Sequence, residues 1–318
     1  MTRFMTRSIA AFGISFMAAL PALGQQYPSK PIRMIVGFPP GGIMDIYARM
    51  LAKPMQERLK VPVVIDNRPG AGGIVGAIAT VNADPDGYTI HHIAPSAISR
   101  VFVKDLPHDF YTALQPIGPV WESPYILAIN NQVPATTLKE FVEYARANPG
   151  KLNLGGSSGV NFLPIALLTN PPLQVQHIEF KGNAQMHTSL LVNEVQLVFS
   201  TTQALLPYVQ SGKMRMLGVT GARRVAAIPD VPTTTEAGFP NLQATVIGAM
   251  MGPVGMPEPV VAKLVAALKE AIATPEMDKL LNANGRPLVG GPQELTKLLR
   301  DELAVWSNAA KISGYTPK

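Results

Sequence analysis

The strongest chemical signal in this sequence is the turn Phe38-Pro39-Pro40-Gly41-Gly42, which separates an apolar run from an amphipathic helical pattern. Backbone N–H groups at a helix N-terminus attract anions, and glycine lets a ligand approach the backbone closely. Asp45 falls in the first helical turn, where the helix dipole favours a negative charge and its side chain can orient the loop. An ordinary strand-to-helix turn has the same pattern, but the position at the carboxyl end of a strand favours an anion site.

A second chemical interpretation concerns Gly155-x-Ser157-x-Gly159, which fits the sharp turn that exposes a catalytic serine. Such an enzyme also needs an acidic residue and then a histidine further along the chain. Glu179 is the only acidic residue between Ser157 and His187, which is the last histidine, and no His-Gly-Gly-Gly segment lies upstream. A triad built from such close neighbours is disfavoured, so a hydrolase using Ser157 stays an alternative.

Patterns for cofactors and metals are weak. Gly70-x-Gly72-x-x-x-Gly76 misses the spacing of a dinucleotide-binding turn by one residue. His91 and His92 are adjacent, so in a strand they point to opposite faces and cannot share a metal ion. Cysteine is absent. We therefore predict no cofactor and no metal, and leave open whether His92, near the carboxyl end of a strand, contacts a ligand.

The distribution of charge excludes one class of partner and the N-terminal pattern indicates the compartment. The 27 basic and 21 acidic residues give a net charge of +6 and form no basic stripe, so nucleic-acid binding is not expected. Residues 1–24 have the pattern of a signal peptide, with Arg3 and Arg7 before an apolar segment and small residues at Ala22 and Gly24. We expect cleavage near Gly24 and a periplasmic product.

Apolar, β-branched runs alternate with helical periodicity along the remaining chain, which predicts an α/β protein with parallel strands. Predicted strands include 31–38, 61–65, 88–93, 125–129, 175–180, 195–199, 215–220 and 246–250, and predicted helices include 43–59, 138–147, 258–273 and 293–310. Pro54 lies inside the first helical pattern and should kink it. The last two helical patterns are expected to close the chain.

Motifs along the chain together resemble the Bug receptors, the extracytoplasmic solute-binding proteins of tripartite tricarboxylate transporters. They are Tyr27-Pro28-x-Lys30-Pro31-Ile32-Arg33, Phe38-Pro39-Pro40-Gly41-Gly42-x-x-Asp45, Asn67-Arg68-Pro69-Gly70-Ala71-Gly72-Gly73, Pro85-Asp86-Gly87-Tyr88-Thr89, Ala147-Asn148-Pro149-Gly150-Lys151-Leu152, Lys181-Gly182, Pro229-Asp230-Val231-Pro232-Thr233, Glu236-Ala237-Gly238 and Pro253-x-Gly255-x-Pro257. Each motif is short, but their number and order make the resemblance specific.

The resemblance implies a two-lobed, type II periplasmic-binding fold in which each lobe is a mostly parallel sheet flanked by helices. Lobe 1 would comprise residues 25–128 and 246–318, and lobe 2 residues 129–245. Such receptors close around small organic anions, usually carboxylates, and deliver them to membrane permease subunits. We expect a monomer with no catalytic step. A ligand-sensing subunit of a signalling system stays a second alternative.

The resemblance also implies which residues contact the ligand. They are Phe38, Pro39, Gly41, Gly42, Asp45, Ser96, Ser157, Ser158, Ser200 and Thr201. The segment Val160–Pro164 is shorter than is usual in the family, which changes the contacts with the distal part of the ligand. Ser200 stands where many members carry an aspartate suited to an amino group. We therefore expect a carboxylate ligand that has no ammonium group.

Overall fold

A computed structural model describes residues 27–156, 159–180 and 183–317. The strands are β1 Ile32–Val36, β2 Val63–Asn67, β3 Thr89–Ile93, β4 Leu114–Asn130, β5 Asn153–Gly156, β6 Gln176–Glu179, β7 Leu197–Thr201, β8 Met214–Val219, β9 Thr245–Pro253 and β10 Arg286–Pro287. The α-helices are α1 Ile43–Leu59, α2 Ile74–Val81, α3 Phe110–Ala113, α4 Leu138–Ala147, α5 Gly159–Phe162, α6 Pro164–Leu168, α7 Asn183–Leu191, α8 Thr202–Gln210, α9 Glu258–Ile272, α10 Pro275–Asn284 and α11 Pro292–Ser313. Two 3₁₀ helices occupy Ala71–Gly73 and Pro95–Ile98.

The strands form one path in the order β2-β1-β3-β9-β4-β7-β5-β6, with β8 and β10 also pairing to β4. β1 pairs in parallel with β2 and β3, and β5 pairs in parallel with β6 and β7. We call β1, β2, β3 and β9 the first sheet half, and β5 to β8 the second sheet half. The parallel prediction holds within these triplets, whereas β4 and β9 run antiparallel to their neighbours.

β4 joins the two sheet halves. From Leu114 to Pro124 it pairs with β9, and from Tyr125 onward it pairs with β7 and β8. The carboxyl end of β3 runs towards the start of β9 at Thr245, which lies opposite Pro124. The carboxyl end of β7 is Thr201, which lies opposite Tyr125. The parallel strands of both halves therefore end beside Pro124 and Tyr125, where β4 passes from one half to the other, and we call this place the crossing point. Sheets of α/β proteins bind ligands beyond the carboxyl ends of their strands at such places.

The C-terminal region departs from the sequence prediction in one respect. Three helices rather than two close the described chain, because α10 lies between α9 and α11. α10 has its own start signals, with Pro275 at its first position and Glu276 in its first turn, and Gly285 ends it. α11 packs on β4 and β9 and buries Leu295 and Trp306 completely, which returns the C-terminus to the first sheet half.

α1 runs as one helix from Ile43 to Leu59 with Pro54 inside it. Its apolar face is buried against the first sheet half, and its end is set by Lys60, whose φ of 61° takes the chain out of the helix. None of the helices in the described part of the chain combines the length and the apolarity that a bilayer crossing requires.

Candidate functional site

The predicted anion-binding turn is built around the Asp45 carboxylate. Asp45 is 2% exposed and accepts hydrogen bonds from the Gly41 N–H, the Arg49 Nε and the Asn67 Nδ2, each at 2.9 Å. The hydrogen bond from Arg49, with help from those of Gly41 and Asn67, lowers the pKa of Asp45 to about 2 despite burial. Asp45 therefore stays ionised and holds the turn, as expected from the sequence.

This arrangement modifies the expected role of Gly41. Its N–H donates to Asp45, so the donors left to a ligand at this turn are the N–H groups of Gly42 and of the first helical residues. Gly42 is the residue that precedes α1 and supplies no side-chain cap, and it is exposed together with Pro39. Gly41 adopts a φ of 82°, and a methyl group there would meet nothing within 4 Å, so the turn faces open space.

Asn67 supports the same turn from β2, a role that the sequence motif did not reveal. Its Nδ2 donates to the Phe38 carbonyl at 3.0 Å as well as to Asp45. Gly73 then connects the turn to the next loop, since a methyl group on it would lie 3.6 Å from the Phe38 ring and 3.8 Å from Ile98. The first turn and the 3₁₀ helix that contains Ser96 thus both lie against Gly73.

Ser96 lies at the carboxyl end of β3 and is completely buried. Its hydroxyl faces the carboxyl of Glu302 on α11, yet makes no hydrogen bond of standard geometry within the described part of the chain. Glu302 also interacts electrostatically with Tyr125 of β4, whose register partner is Thr201. Ser96 and Thr201 are therefore both linked to Tyr125, Ser96 through Glu302 and Thr201 through strand pairing.

In the second sheet half, Ser200 is paired with a histidine. The Ser200 Oγ lies 2.9 Å from the His187 Nε2, and both side chains are buried. Burial lowers the pKa of His187 to about 4, so its ring is neutral at physiological pH. Thr201 precedes α8 without its side chain capping the helix, which leaves its hydroxyl for another partner. Ser157 and Ser158 lie outside the described residues.

The segments that follow β3 and β5 touch each other near these residues. Gly159, the first residue of α5, lies so close to Phe102 that a methyl group on it would be 2.3 Å from the ring Cδ1. That methyl group would also be 3.0 Å from the Tyr315 hydroxyl. The Trp306 ring packs edge to face on both Phe102 and Tyr125. An aromatic cluster from the first half and the C-terminal region thus supports the α5 loop of the second half.

His92 is occupied within the protein. Its Nε2 accepts a hydrogen bond from the Trp121 Nε1 at 3.1 Å, and its Nδ1 lies 3.1 Å from the Met44 carbonyl. Because Trp121 can only donate, His92 carries its proton on Nδ1 and donates to Met44. Burial lowers its pKa to about 4. With both ring nitrogens satisfied, His92 supports α1 against the sheet rather than offering a group to a ligand.

A cavity of about 470 Å³ opens beside the crossing point, lined by Glu122, Pro124, Arg223, Thr245 and Arg286 among others, and none of the predicted ligand contacts lines it. Within the part of the chain that the structure describes, no three metal-ligating side chains come together.

The sheet order, the crossing strands and the convergent loops define a two-lobed solute-binding protein of the periplasmic type. The model of the tripartite tricarboxylate transporter family receptor, TctC, matches residues 47–314. The chain therefore belongs to this receptor family, as its motifs predicted.

Individual relatives extend this assignment over nearly the whole chain. A UPF0065 protein of Bordetella pertussis is 36% identical over 306 residues, covering 94% of each chain. Protein BugT of the same organism is 31% identical and covers 98% of each chain. These relatives include a Bug-named protein, in agreement with the resemblance drawn from the sequence.

Two solved structures share both the fold and part of the sequence. Rpa4515 of R. palustris, solved with adipate, superposes with a TM-score of 0.81 at 26% identity and covers 92% of this chain and all of its own. MatC of Rhodopseudomonas palustris, with bound malate, gives a TM-score of 0.75 at 27% identity and covers 89% of this chain and 99% of its own.

Proposed function

We propose that this chain is a periplasmic receptor that captures a small organic carboxylate between its two lobes and delivers it to the permease subunits of a tripartite transporter. The observation that carries the proposal is the convergence of β1, β3, β5 and β7 at one crossing point, with donor-rich turns after them. Binding there closes the lobes and creates the surface that the permease recognises. Adipate and malate in the related structures support a carboxylate ligand.

The proposed contacts are those predicted from the sequence. In the first lobe they are Phe38, Pro39, Gly41, Gly42 and Ser96, with Asp45 holding the turn, and in the second lobe Ser157, Ser158, Ser200 and Thr201. The carboxylate is held by backbone N–H groups and hydroxyls, with ordered water completing its shell. The lobe limits at 128/129 and 245/246, cleavage near Gly24 and a monomeric state belong to the same proposal.

The ligand we propose carries no ammonium group. Ser200 and His187 present a neutral hydroxyl and a neutral imidazole at the end of β7, and neither can balance a positive charge. A thermal-shift and calorimetric comparison of succinate, malate and L-aspartate isolates this point, because malate and aspartate differ only in hydroxyl against ammonium. We expect malate or succinate to raise the melting temperature by mass action and L-aspartate to have no effect. Tight binding of L-aspartate would refute the assignment.

The contact of Thr201 with the ligand is tested by Thr201→Val, which removes the hydroxyl while keeping the shape. Loss of one hydrogen bond of about 0.5–1.5 kcal/mol predicts an affinity about 2- to 10-fold weaker. Thr188→Val on the exposed face of α7 is the matched control and should bind as the wild type does. Equal affinity of Thr201→Val and Thr188→Val would remove Thr201 from the site.

The absence of a catalytic step is also part of the proposal. Ser157→Ala separates a receptor from the hydrolase alternative, since a receptor loses only one contact whereas a serine hydrolase loses nearly all turnover. We expect the variant to bind carboxylates with a modest loss of affinity. Ester or amide hydrolysis by the wild type that disappears in Ser157→Ala would favour the enzyme.

A further inference from the structure

Glu302 is a buried acidic residue on α11 that faces Ser96, one of the proposed ligand contacts, and is bound to β9. Its side chain is 6% exposed, and its Oε1 accepts the Ile247 N–H of β9 at 3.2 Å. Its Oε2, the Ser96 Oγ and the Trp306 Nε1 make no hydrogen bond of standard geometry within the described residues, although both side chains face the carboxyl. Buried polar atoms are ordinarily paired, so this cluster needs an explanation.

The surroundings of Glu302 favour its neutral form. Burial raises its pKa to about 8, against the opposing effects of Ser96, the Ile247 N–H and Trp306, and Glu122 of β4 adds a small repulsion. The other titratable groups that interact with Glu302 are Tyr111 of α3 and Tyr125 of β4. Burial raises the pKa of both tyrosines, so they stay neutral. At neutral pH Glu302 is therefore mainly a carboxylic acid, which can both donate and accept.

The protonation state of Glu302 determines where the Ser96 hydrogen points. A neutral carboxyl can donate its O–H to the Ser96 Oγ, which leaves the hydroxyl hydrogen of Ser96 free for a ligand oxygen. An ionised carboxylate can only accept, so it would draw that hydrogen towards itself and away from the ligand. It would also place a negative charge close to a bound anion in a poorly solvated region.

We propose that Glu302 is a positioning residue of the ligand site, which orients the Ser96 hydroxyl towards the bound anion and ties α11 to β9 through Ile247. This inference rests on the proposed function, because the orientation of Ser96 matters only if a carboxylate binds beside it. The role is indirect, since Glu302 acts through Ser96 and need not touch the ligand.

The test is calorimetric titration of the full mature protein with adipate and with malate between pH 6.5 and pH 9, where both ligands stay fully ionised. If only the neutral form of Glu302 orients Ser96, the affinity of the wild type falls above pH 8 towards about tenfold per pH unit. Glu302→Gln keeps an acceptor for Ile247 and a donor for Ser96. We expect its affinity at pH 7 to be within about threefold of the wild type, and to stay constant up to pH 9.

Control variants make the result specific. Glu143→Gln removes a charge from an exposed position on α4 and should follow the wild-type pH profile. Ser96→Ala should bind more weakly and lose the pH dependence, and it serves the same purpose if Glu302→Gln does not fold. A flat wild-type profile, or a Glu302→Gln profile that falls like that of the wild type, overturns the inference but leaves the proposed function intact. If the wild type binds neither ligand at any pH, the carboxylate assignment fails and this inference fails with it.

Discussion

Gly159 gives the sharpest test of lobe closure, because a single methyl group there would act as a wedge between the two sheet halves. In the structure an alanine Cβ at this position would lie 2.3 Å from Phe102 Cδ1 and 3.0 Å from the Tyr315 hydroxyl. Carbon atoms in contact ordinarily stay about 3.5–4.0 Å apart, so the halves must separate or the Phe102 ring must move. Gly159 is the first residue of the α5 helix, and helical backbone accommodates alanine well.

The expected loss of binding free energy in Gly159→Ala follows from the cost of overpacking. Forcing extra methyl groups into a packed contact costs about 1–3 kcal/mol. The proposed function has the lobes close on the ligand. On that basis the cost falls on the closed, ligand-bound arrangement and is relieved when the lobes separate. We therefore expect Gly159→Ala to weaken binding of adipate or malate by about 5- to 150-fold, with little change in the unfolding of the ligand-free protein. Calorimetric titration and urea unfolding measure the two quantities separately.

Two controls decide whether the wedge explanation is correct. Gly291→Ala adds a methyl group whose nearest neighbour lies at 3.5 Å, so it should leave binding unchanged. Phe102→Leu shortens the obstructing side chain, so adding Gly159→Ala to that variant should cost much less affinity than adding it to the wild type. Wild-type affinity in Gly159→Ala, or the same loss in both backgrounds, would refute the reasoning.

Three further predictions concern the supporting network. Asp45→Asn weakens charge-assisted hydrogen bonds to the turn. Urea unfolding should therefore show about 1–3 kcal/mol lower stability, and titration should show weaker carboxylate binding. Unchanged binding would mean that the Gly41 turn needs no support from Asp45. Trp121→Phe leaves the His92 Nε2 unpaired, so it should cost about 1–3 kcal/mol of stability with binding unchanged, whereas a large loss of affinity would indicate a ligand role for His92. Folding raises the pKa of Glu302 from 4.5 to about 8. The stability of the wild type should therefore fall relative to that of Glu302→Gln as pH rises from 4.5 to 8, by up to about 5 kcal/mol. A pH-independent difference between the two proteins in urea unfolding would contradict this.

Sequence patterns predicted best the elements whose signals are local. The helix predicted at 138–147 is α4, because Thr137 and Glu140 form a reciprocal capping box and apolar residues recur on one face. The turn at Gly41 also has a local signal, because its prolines and glycines fix the conformation within a few residues. The position of Asp45 in the first helical turn predicts that its side chain orients the loop, and its carboxylate accepts the Gly41 N–H.

The full length of β4 was not predictable from local pattern. Its N-terminal part contains Pro116, Gly118, Pro119 and Pro124, which ordinarily argue against a strand. The antiparallel partner β9 accepts these residues through register shifts at Pro116/Gly118 and Pro119/Trp121. Such a bulged pairing is decided by the partner strand, so tertiary contacts overrode the propensity of the segment.

The pairs that complete the site also depend on packing rather than on spacing. His187 and Ser200 lie on different elements, and their contact follows from the way α7 packs on β7. Glu302 did leave a signal, because it interrupts the apolar face of α11 seven residues after Leu295 and four before Trp306. An acidic residue at such a position is buried once the helix docks, but its partner Ser96 could be identified only from the fold.

Three titratable side chains that support the predicted contacts are paired or neutral within the protein. Asp45 is ionised but bound by Arg49 and Asn67, while His187 and Glu302 are held neutral by burial. None of the proposed contact residues that the structure describes carries a basic side chain, so these residues would hold an anion through backbone dipoles and hydroxyls. Dipoles fixed in a rigid turn lose little entropy on binding, yet they provide no strong ion pair that would have to be broken when the ligand leaves. Such a site suits a solute receptor, which must both retain its ligand and release it.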